Sequence, residues 1–479
     1  MLDKESNQKI YGLRSMGINP YPYRFDKTHD SIDIKSGYSK LEGAEVSVAG
    51  RIMQIRHMGG IYFFSLRDAK GDIQIMVRRS NEINKEIEVF LKYLDRGDII
   101  GVQGNVTKSN KGEISVDCKN LEILAKNLRI LPEKFHGLTD VEERYRNRAL
   151  DLIMNLNVRN TFMIRSKILS YIRSFLDMRG FVEFETPVLQ LTYGGAFAKP
   201  FTTKMNTLNQ NVYLRIADEL YLKRLIIGGQ EAVYEVSKDF RNEDIDSTHN
   251  PEFTQVEFYQ AYKDYEDFMK LTEELFRGMA KHIFNNEMIT FQDQQLDFSK
   301  PFKRIYWVEE IKKQTGIDVS EMDDETAKVI ARREDLKTPV LNASHVADAL
   351  LDKYVKPKLV QPTFVVDYPV YMSPLTKIKR GNPKLTERFE FYMGGIEIGN
   401  CYSELTDPIE QRSRFEEQEK ERKKGDSEAP PSDHDFLEVM EYGMPPTAGI
   451  GICIERIAMI FTNNPSIKEV IPFPLVKRL

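Results

Sequence analysis

Phe240-Arg241-Asn242-Glu243, followed by His249-Asn250-Pro251-Glu252-Phe253, puts a fixed cation, a carboxylate, an imidazole and an aromatic ring into one short stretch. The segments on either side are rich in strand-forming residues, which predicts a hairpin. A hairpin carrying this set can hold a phosphate, read a purine edge and stack a purine face at once, so nucleotide chemistry is the first hypothesis. Each residue also has a plainer reading. Glu243 stands two residues after Arg241, on the same face of a strand, where the two would form a salt bridge; Phe253 reads equally as a core ring.

A second constellation lies near the C-terminus: Thr447-Ala448-Gly449-Ile450-Gly451-Ile452-Cys453-Ile454-Glu455-Arg456. Alternating Gly and Ile make a strand with almost no side chains on one face, where a flat ligand can lie against the backbone. Tight sheet packing gives the same pattern. Arg456 is expected at the junction with a following helix, Ile457 to Phe461. A third runs from Glu390 through Glu397 to Glu404. Three carboxylates on adjoining strand segments repel unless a cation joins them. Hard divalent ions such as Mg²⁺ take such oxygens together with substrate phosphates, and an ammonium group of a substrate is the other candidate for one of the three.

Upstream, Val46 to Ile52, Ile61 to Arg67 and Ile73 to Val77 read as strands, with turns at Lys70-Gly71-Asp72 and Lys111-Gly112 and a polar helix from Glu82 to Asp95. Five strands with one helix over residues 44–126 suggest a small closed barrel of the oligonucleotide-binding (OB) type, against an unspecialised β-domain. Residues 1–43 read as a leader segment. A charged connector over 127–155 holds Phe135-His136-Gly137-Leu138 and the basic cluster Arg144, Arg146 and Arg148. Ile164, Ile168, Ile172 and Phe175 then mark one face of a helix that Gly180 stops. Phe181 to Pro187 reads as a strand closed by proline. Beyond it strands and helices mix without a βαβ rhythm, so residues 156–479 are expected to form an antiparallel α+β domain. Pro408 to Lys424, capped by Asp407 and stopped by Gly425, is expected as a solvated helix with i,i+4 ion pairs, followed by a polar loop from Ser427 to Asp435.

Charged residues make up 29% and hydrophobic ones 41% of 479 residues, and the net charge is -5, which argues against coating nucleic acid by charge alone. No apolar run approaches the roughly 20 residues that span a bilayer, and Met1 to Ser6 lacks the form of a secretory signal. Cys118, Cys401 and Cys453 have no C-x-x-C spacing, which fits reduced thiols without structural zinc. No membrane association and a cytoplasmic location are expected.

Together these motifs resemble the class II aminoacyl-tRNA synthetases: Phe181 to Pro187 the first family motif, Phe240 to Phe253 the second, Gly449 to Arg456 the third. Phe135-His136-Gly137-Leu138, Arg215-Ile216-Ala217 with Glu219-Leu220-Tyr221-Leu222-Lys223, His249 to Thr254 and Pro445 to Gly449 narrow the resemblance to the lysyl-tRNA synthetases, from about Pro20 almost to the end. The resemblance implies an anticodon-binding OB barrel, a catalytic domain on an antiparallel sheet, and a homodimer. It implies activation of lysine by ATP with Mg²⁺, giving lysyl-adenylate and pyrophosphate, then transfer to the terminal adenosine of tRNA(Lys).

Residue by residue, it implies that Arg241 holds the α-phosphate and the lysine carboxylate and that Glu243 reads the adenine amine. Phe253 and Arg456 cover the two faces of adenine, His249 lies near the terminal phosphates, and Glu390 and Glu397 bind Mg²⁺. Gly195 and Glu219 receive the α-amino group, Asn400 lies beside the carboxylate, and Glu257, Tyr259, Tyr402 and Glu404 form the side-chain pocket. In the barrel, Phe63 stacks on an anticodon base while Gln74 and Glu113 bond uracil edges. Against the family wording, Cys453 stands for a glycine, Asp218 for a proline, Phe197 for a small residue, Lys204-Met205 for two histidines, Asp244 for a glycine, Ala149 for a tyrosine and Glu455 for an aspartate. Two alternatives come from other classes: an enzyme that lysylates protein, and a catalytically silent paralogue that binds RNA or a partner.

Overall fold

The computed structural model describes residues 4–78, 85–132, 138–338, 340–426 and 428–477. Phe135, His136 and Gly137 lie outside the described residues, as do 82–84 of the expected polar helix and Ser427 of the expected loop. The chain divides into two compact units, Met1–Gly137 and Leu138–Leu479.

In the first unit, β1 (Glu45–Met58), β2 (Ile61–Arg67), β3 (Asp72–Arg78), β4 (Ile99–Lys108) and β5 (Ile114–Ala125) close a barrel in the order β1-β2-β3-β5-β4. Alternation sends Phe64, Leu66, Ile73, Ile75 and Val77 inward to one buried core. The turn between β2 and β3 is shaped by Asp68, whose Oδ1 accepts the amides of Lys70 at 2.8 Å and Gly71 at 3.0 Å. The helix over Lys85–Tyr93 falls between β3 and β4. This is the expected OB-type architecture.

The second unit is built on a larger sheet. Its strands in chain order include β6 (Val182–Glu183), a small separate sheet of β7 (Leu189–Gln190), β8 (Thr202–Met205) and β9 (Gln210–Leu214), then β10 (Ala232–Phe240) and β11 (Glu252–Ala261). The hairpin β12 (Met288–Phe291) and β13 (Gln294–Asp297) follows, then β14 (Lys303–Tyr306), β15 (Thr363–Val366), the pair β16 (Ile378–Lys379) and β17 (Asn382–Thr386), and finally β18 (Arg388–Met393), β19 (Ile396–Ser403) and β20 (Thr447–Cys453). Among the described residues, eight of these form one sheet in the order β14-β15-β18-β19-β20-β11-β10-β6. Its inner pairs are antiparallel, and only the edges, β14 with β15 and β6 with β10, run parallel.

Strand alternation gives this sheet two unlike faces. Val256, Phe258, Phe389, Phe391, Ile398, Ile450 and Ile452 point into a core shared with the helices Leu156–Asp177, Tyr265–Phe284 and Ile454–Phe461. Ile164, Ile168, Ile172 and Phe175 enter that core as their spacing predicts, and Gly180 follows with φ 82°. The intervening residues Gln255, Glu257, Tyr259, Glu390, Asn400, Gly449 and Gly451 face a cavity instead.

Three expectations are corrected. The strand from Phe181 to Pro187 is only two residues long: Phe184 N still donates to Tyr234 O on β10 at 2.8 Å, but Thr186 N then donates to the Glu235 carboxylate at 3.0 Å rather than to a strand carbonyl. The helix Pro408–Lys423 is capped by Asp407 as expected, but it is not solvated all round. Gln411, Arg414 and Phe415 are buried, and Arg414 Nη1 donates to the carbonyls of Ser373 at 2.8 Å and Thr376 at 2.6 Å. The polar loop behind it ends early, because Asp433 caps a further helix, His434–Met440.

Candidate active site

A cavity of about 1320 Å³ opens on the polar face of the large sheet. Gly195, Glu219, Arg241, Glu243, His249, Phe253, Glu257, Tyr259, Glu390, Glu397, Asn400, Tyr402, Glu404 and Arg456 all line it. Every candidate residue that the sequence nominates in this unit therefore reaches one space, although they are spread over more than half the chain.

The β10–β11 ladder ends at Phe240 opposite Glu252, and Arg241 N closes it by donating to the Pro251 carbonyl at 2.9 Å. Arg241 and Glu243 therefore sit in the hairpin loop, not on one strand face, and the same-face salt bridge is not formed: Glu243 accepts from Lys199 N at 3.2 Å. The Arg241 guanidinium lies 5.1 Å from the Phe253 ring centre, a cation–π distance. Nε donates weakly to Ile216 O at 3.4 Å, leaving the outer nitrogens turned to the cavity. His249 bonds Asp246 at 2.8 Å through Nδ1, and its Nε2 lies 3.1 Å from Arg456 Nη2. Arg456 falls in the first turn of the helix Ile454–Phe461, and its Nη1 donates to the Glu397 carbonyl at 2.8 Å and carboxylate at 3.2 Å.

The Gly-Ile strand has a direct cause. Tyr259 on β11 faces Gly449 on β20, and Glu257 faces Gly451. A Cβ at Gly449 would lie 2.1 Å from the Tyr259 ring and 2.7 Å from Glu404 Oε1; one at Gly451 would lie 2.7 Å from Gln255 Nε2. The bare strand makes room for the polar side chains of its neighbour, so both sequence readings, tight packing and an open ligand face, describe it.

Deep in the cavity the charges are acidic. Glu404 is fully buried, and Lys223 reaches it as an ion pair while also donating to Glu219 at 2.5 Å. One ammonium thus serves two carboxylates. Lys223 occupies Oε2 of Glu404, and among the described residues Oε1 has no hydrogen-bond partner, so it remains open to a donor. Burial, against the pull of Lys223, pushes Glu404 up to about 8. Tyr259 Oη donates to Glu257 at 2.7 Å, and burial, reinforced by Glu219 and Asp239, pushes Glu257 up to about 8 as well. Gly195, with φ 85°, brings its backbone against Glu219; a Cβ there would press on Ala217 and Glu219 at 3.1 Å.

The three carboxylates of the third motif do not form one cluster. Glu390 on β18 accepts from Arg388 Nη2 and Tyr392 Oη, each at 2.6 Å, while Glu397 pairs with Arg456 and Glu404 with Lys223. The joining cations are side chains. Glu390 and Glu397 nevertheless act on one another: burial and then the Glu397 charge raise Glu390, whereas Arg456 and Lys356 overcome burial to hold Glu397 low. Two carboxylates of this kind, each with a lone pair to spare at the cavity wall, fit the oxygen donor set of a hard divalent ion.

Sequence reasoning passed over Arg388 and Lys223. Arg388 Nε holds Asn400 Oδ1 at 3.1 Å, and Asn400 Nδ2 donates to Tyr402 Oη at 2.8 Å, so this arginine aligns the wall between Glu390 and the acidic end. Its position two residues before Glu390, on the same strand face, was the available signal. Among the departures, Cys453, Phe197 and Asp244 line the cavity, whereas Asp218 is buried behind it.

In the barrel, Phe63, Gln74 and Glu113 belong to neighbouring strands or their ends. Phe63 pairs with Met76, and Gln74 with both Ser65 and Ser115, on the face opposite the core. Phe63 is half-buried and Glu113 exposed, while Gln74 is 7% exposed and donates to Ser115 Oγ at 2.9 Å.

Residues 140–477 match the family described as tRNA synthetases class II (D, K and N), and residues 46–124 the family described as OB-fold nucleic acid binding domain. The chain is similar to the lysine–tRNA ligase of Thermosipho africanus, 45% identical over 100% of this chain and 97% of that protein. It is 47% identical to lysine–tRNA ligase 2 of Methanosarcina mazei, over 99% of this chain and 94% of that protein. The lysine–tRNA ligase of Enterococcus faecalis is also 47% identical, over 98% of this chain and 96% of that protein.

Proposed function

Because the chain belongs to the class II tRNA synthetases (D, K and N), we propose that it is an ATP-dependent, AMP-forming lysine–tRNA ligase. The observation that carries the reading is the acidic end of the cavity: Glu404, wholly buried, paired with Lys223 at Oε2 and, among the described residues, without a partner at Oε1, lines the same space as Tyr259, Tyr402, Arg241 and Arg456. One ammonium for two carboxylates leaves a deficit of positive charge that a long cationic side chain supplies at the free oxygen, and a shorter or apolar rival leaves that deficit unmet, a discrimination strong enough to need no editing.

In the first step an oxygen of the lysine carboxylate bonds to the α-phosphorus of ATP, and the bond to the β-phosphate oxygen breaks, releasing pyrophosphate. Charge builds on the α-phosphate, and Arg241 presents a planar fork to it and to the attacking carboxylate. Phe253 and Arg456 sandwich the adenine, Glu243 accepts from its amine, and His249 attends the terminal phosphates. Glu219 and the backbone at Gly195 take the α-ammonium, with Asn400 at the carboxylate and Glu257, Tyr259, Tyr402 and Glu404 around the side chain. Glu390 and Glu397 would hold Mg²⁺, which would supply charge neutralisation at the phosphates. In the second step the terminal adenosine hydroxyl of tRNA(Lys) attacks the acyl carbon and AMP leaves. Phe63, Gln74 and Glu113 read the anticodon by stacking and edge contacts.

Among the described residues no helix is long and apolar enough to cross a membrane, and we place the enzyme in the cytoplasm. It works as a homodimer through the segment around Pro187, where Val182, Val188, Leu189 and Leu191 are 39–56% exposed.

Lysine-dependent exchange of pyrophosphate into ATP tests the reading. Exchange with lysine and with no other standard amino acid is expected, followed by charging of tRNA(Lys). No exchange by purified protein overturns it in favour of a silent paralogue; exchange without charging points to a protein-lysylating enzyme.

A further inference from the structure

Asp218 immediately precedes the helix Glu219–Ile227, where an aspartate ordinarily accepts the first free amides of the helix. It makes no such bond. Its side chain is fully buried, and among the described residues neither oxygen has a hydrogen-bond partner. It turns instead toward two other carboxylates, Asp239 on β10 and Glu257 on β11, one oxygen of each lying within 4.8 Å of the others. An ionised, unsolvated carboxylate in that position would be costly by several kcal/mol.

The surrounding charges do not neutralise it. Arg215 is committed to Glu235 at 2.7 Å and Asp239 at 3.3 Å, and Lys223 is shared by Glu219 and Glu404. Arg241 acts on Asp239, and Tyr259 gives its hydroxyl to Glu257. Five acids, Asp218, Glu219, Glu235, Asp239 and Glu257, thus face one another across the helix start and the two strands, and no cation contacts Asp218 or Glu257 among the described residues. What the Asp218–Glu257 pair lacks is a proton.

We propose that Asp218 is a positioning residue for the amino-acid substrate: it shares one proton with Glu257, donating to that carboxylate and holding it toward the cavity in the substrate-free site, until the substrate ammonium takes the proton's place. This rests on the lysine-activation reading. Glu257 already accepts from Tyr259 and Gln255, so a donor from Asp218 completes its shell and fixes its rotamer. Burial, then the Glu257 charge, raises Asp218 well above the usual carboxylate range, as a shared proton requires. When the substrate ammonium arrives, the ionised form of the pair is favoured and the proton leaves to solvent. Binding of lysine is thereby tightened as pH rises toward the pair's own titration.

The test compares wild type with D218N and D218S, which keep a donor but cannot titrate. The KM for lysine in pyrophosphate exchange, from pH 6.5 to 8.5, is expected to fall with pH in wild type. The slope in each variant should be smaller by about one proton, a change of up to tenfold per pH unit, with kcat within a few-fold of wild type. Calorimetry of lysine binding at pH 7 in buffers of different ionisation heat should show proton release by wild type. Unchanged slopes in the variants, or no proton release by wild type, overturn the proposal. So does lysine binding that, measured by calorimetry without ATP, requires an added mono- or divalent cation to fill the three carboxylates. Wild type that shows no lysine-dependent exchange at any pH overturns the activity itself, a separate result.

Discussion

Tyr259 and Gly449 are cross-strand partners, and the tyrosine ring occupies the space that any side chain at 449 would need, standing 2.1 Å from where its Cβ would fall. The same Cβ would press on Glu404 Oε1 at 2.7 Å. Gly449→Ala therefore forces the ring and the buried carboxylate to move together. The expected cost is about 1–3 kcal/mol from overpacking, visible as a lower melting temperature, with a lysine KM raised more than the ATP KM. Equal effects on both KM values would show that the bare strand serves sheet packing alone.

Arg241→Lys separates charge from geometry. Lysine keeps the cation but loses the fork and the stacking on Phe253, now 5.1 Å away. Loss of one preorganised donor set at a developing phosphate charge corresponds to about 10²–10³ in kcat. Pyrophosphate exchange should fall by that factor while the melting temperature changes little, since among the described residues the side chain's one hydrogen bond is a weak 3.4 Å contact with Ile216 O. A variant of near wild-type rate would remove Arg241 from the chemistry.

How far the site was legible depended on the range of the interactions. The Gly-Ile alternation, the Asp407 cap and the Ile164–Phe175 stripe are local patterns, and each formed what its period requires. Lys223 and Arg388 each have one partner at readable spacing, Glu219 and Glu390, but their second partners, Glu404 and Asn400, meet them only through the tertiary fold. In the basic cluster Arg144 binds Asp151 and Glu469, and Arg148 binds Asp151 at 2.5 Å, so these charges are internal ties. In the helix Pro408–Lys423, nothing in the i,i+4 pattern reveals that the carbonyls of Ser373 and Thr376 await Arg414.

Glu455 is a second such tie, with a stability consequence. It is fully buried beneath the third motif, accepting from Thr254 N at 2.8 Å and Arg165 Nη2 at 2.7 Å. Glu455→Ala strands the Arg165 cation and a buried strand amide, and breaking one side of such a pair costs about 3–5 kcal/mol. Denaturant unfolding should show that loss, with Glu455→Gln recovering part of it through the Thr254 bond. A cost under about 1 kcal/mol would mean that water reaches Arg165.

The acidic end of the cavity also sets how stability depends on pH. Burial pushes Glu404 and Glu257 up to about 8, and Asp239 to about 6, whereas the unfolded chain titrates its glutamates near 4.5 and its aspartates near 3.8. The fold therefore binds these protons more tightly than the unfolded chain does. Their contribution is fully present below about pH 4 and is lost as pH rises toward 8, by at most about 1.4 kcal/mol per pH unit for each proton. Acids held low do not oppose this trend, because Asp318, bonded by Lys312 and Ser320 and held at about 2, gains its stability only below that window. The substrate-free protein should melt at progressively lower temperature from pH 5.5 to 8.5. Saturating lysine should restore most of the loss at pH 8.5, since its ammonium groups pair with the acids that have ionised. Glu404→Gln should make the substrate-free profile shallower by about one proton and reduce the lysine-dependent gain, with Glu257 and Asp239 carrying the rest. A melting temperature that is level or rises across this range would mean that Glu404 and Glu257 are already ionised in the fold, with Lys223 alone sufficient to balance them.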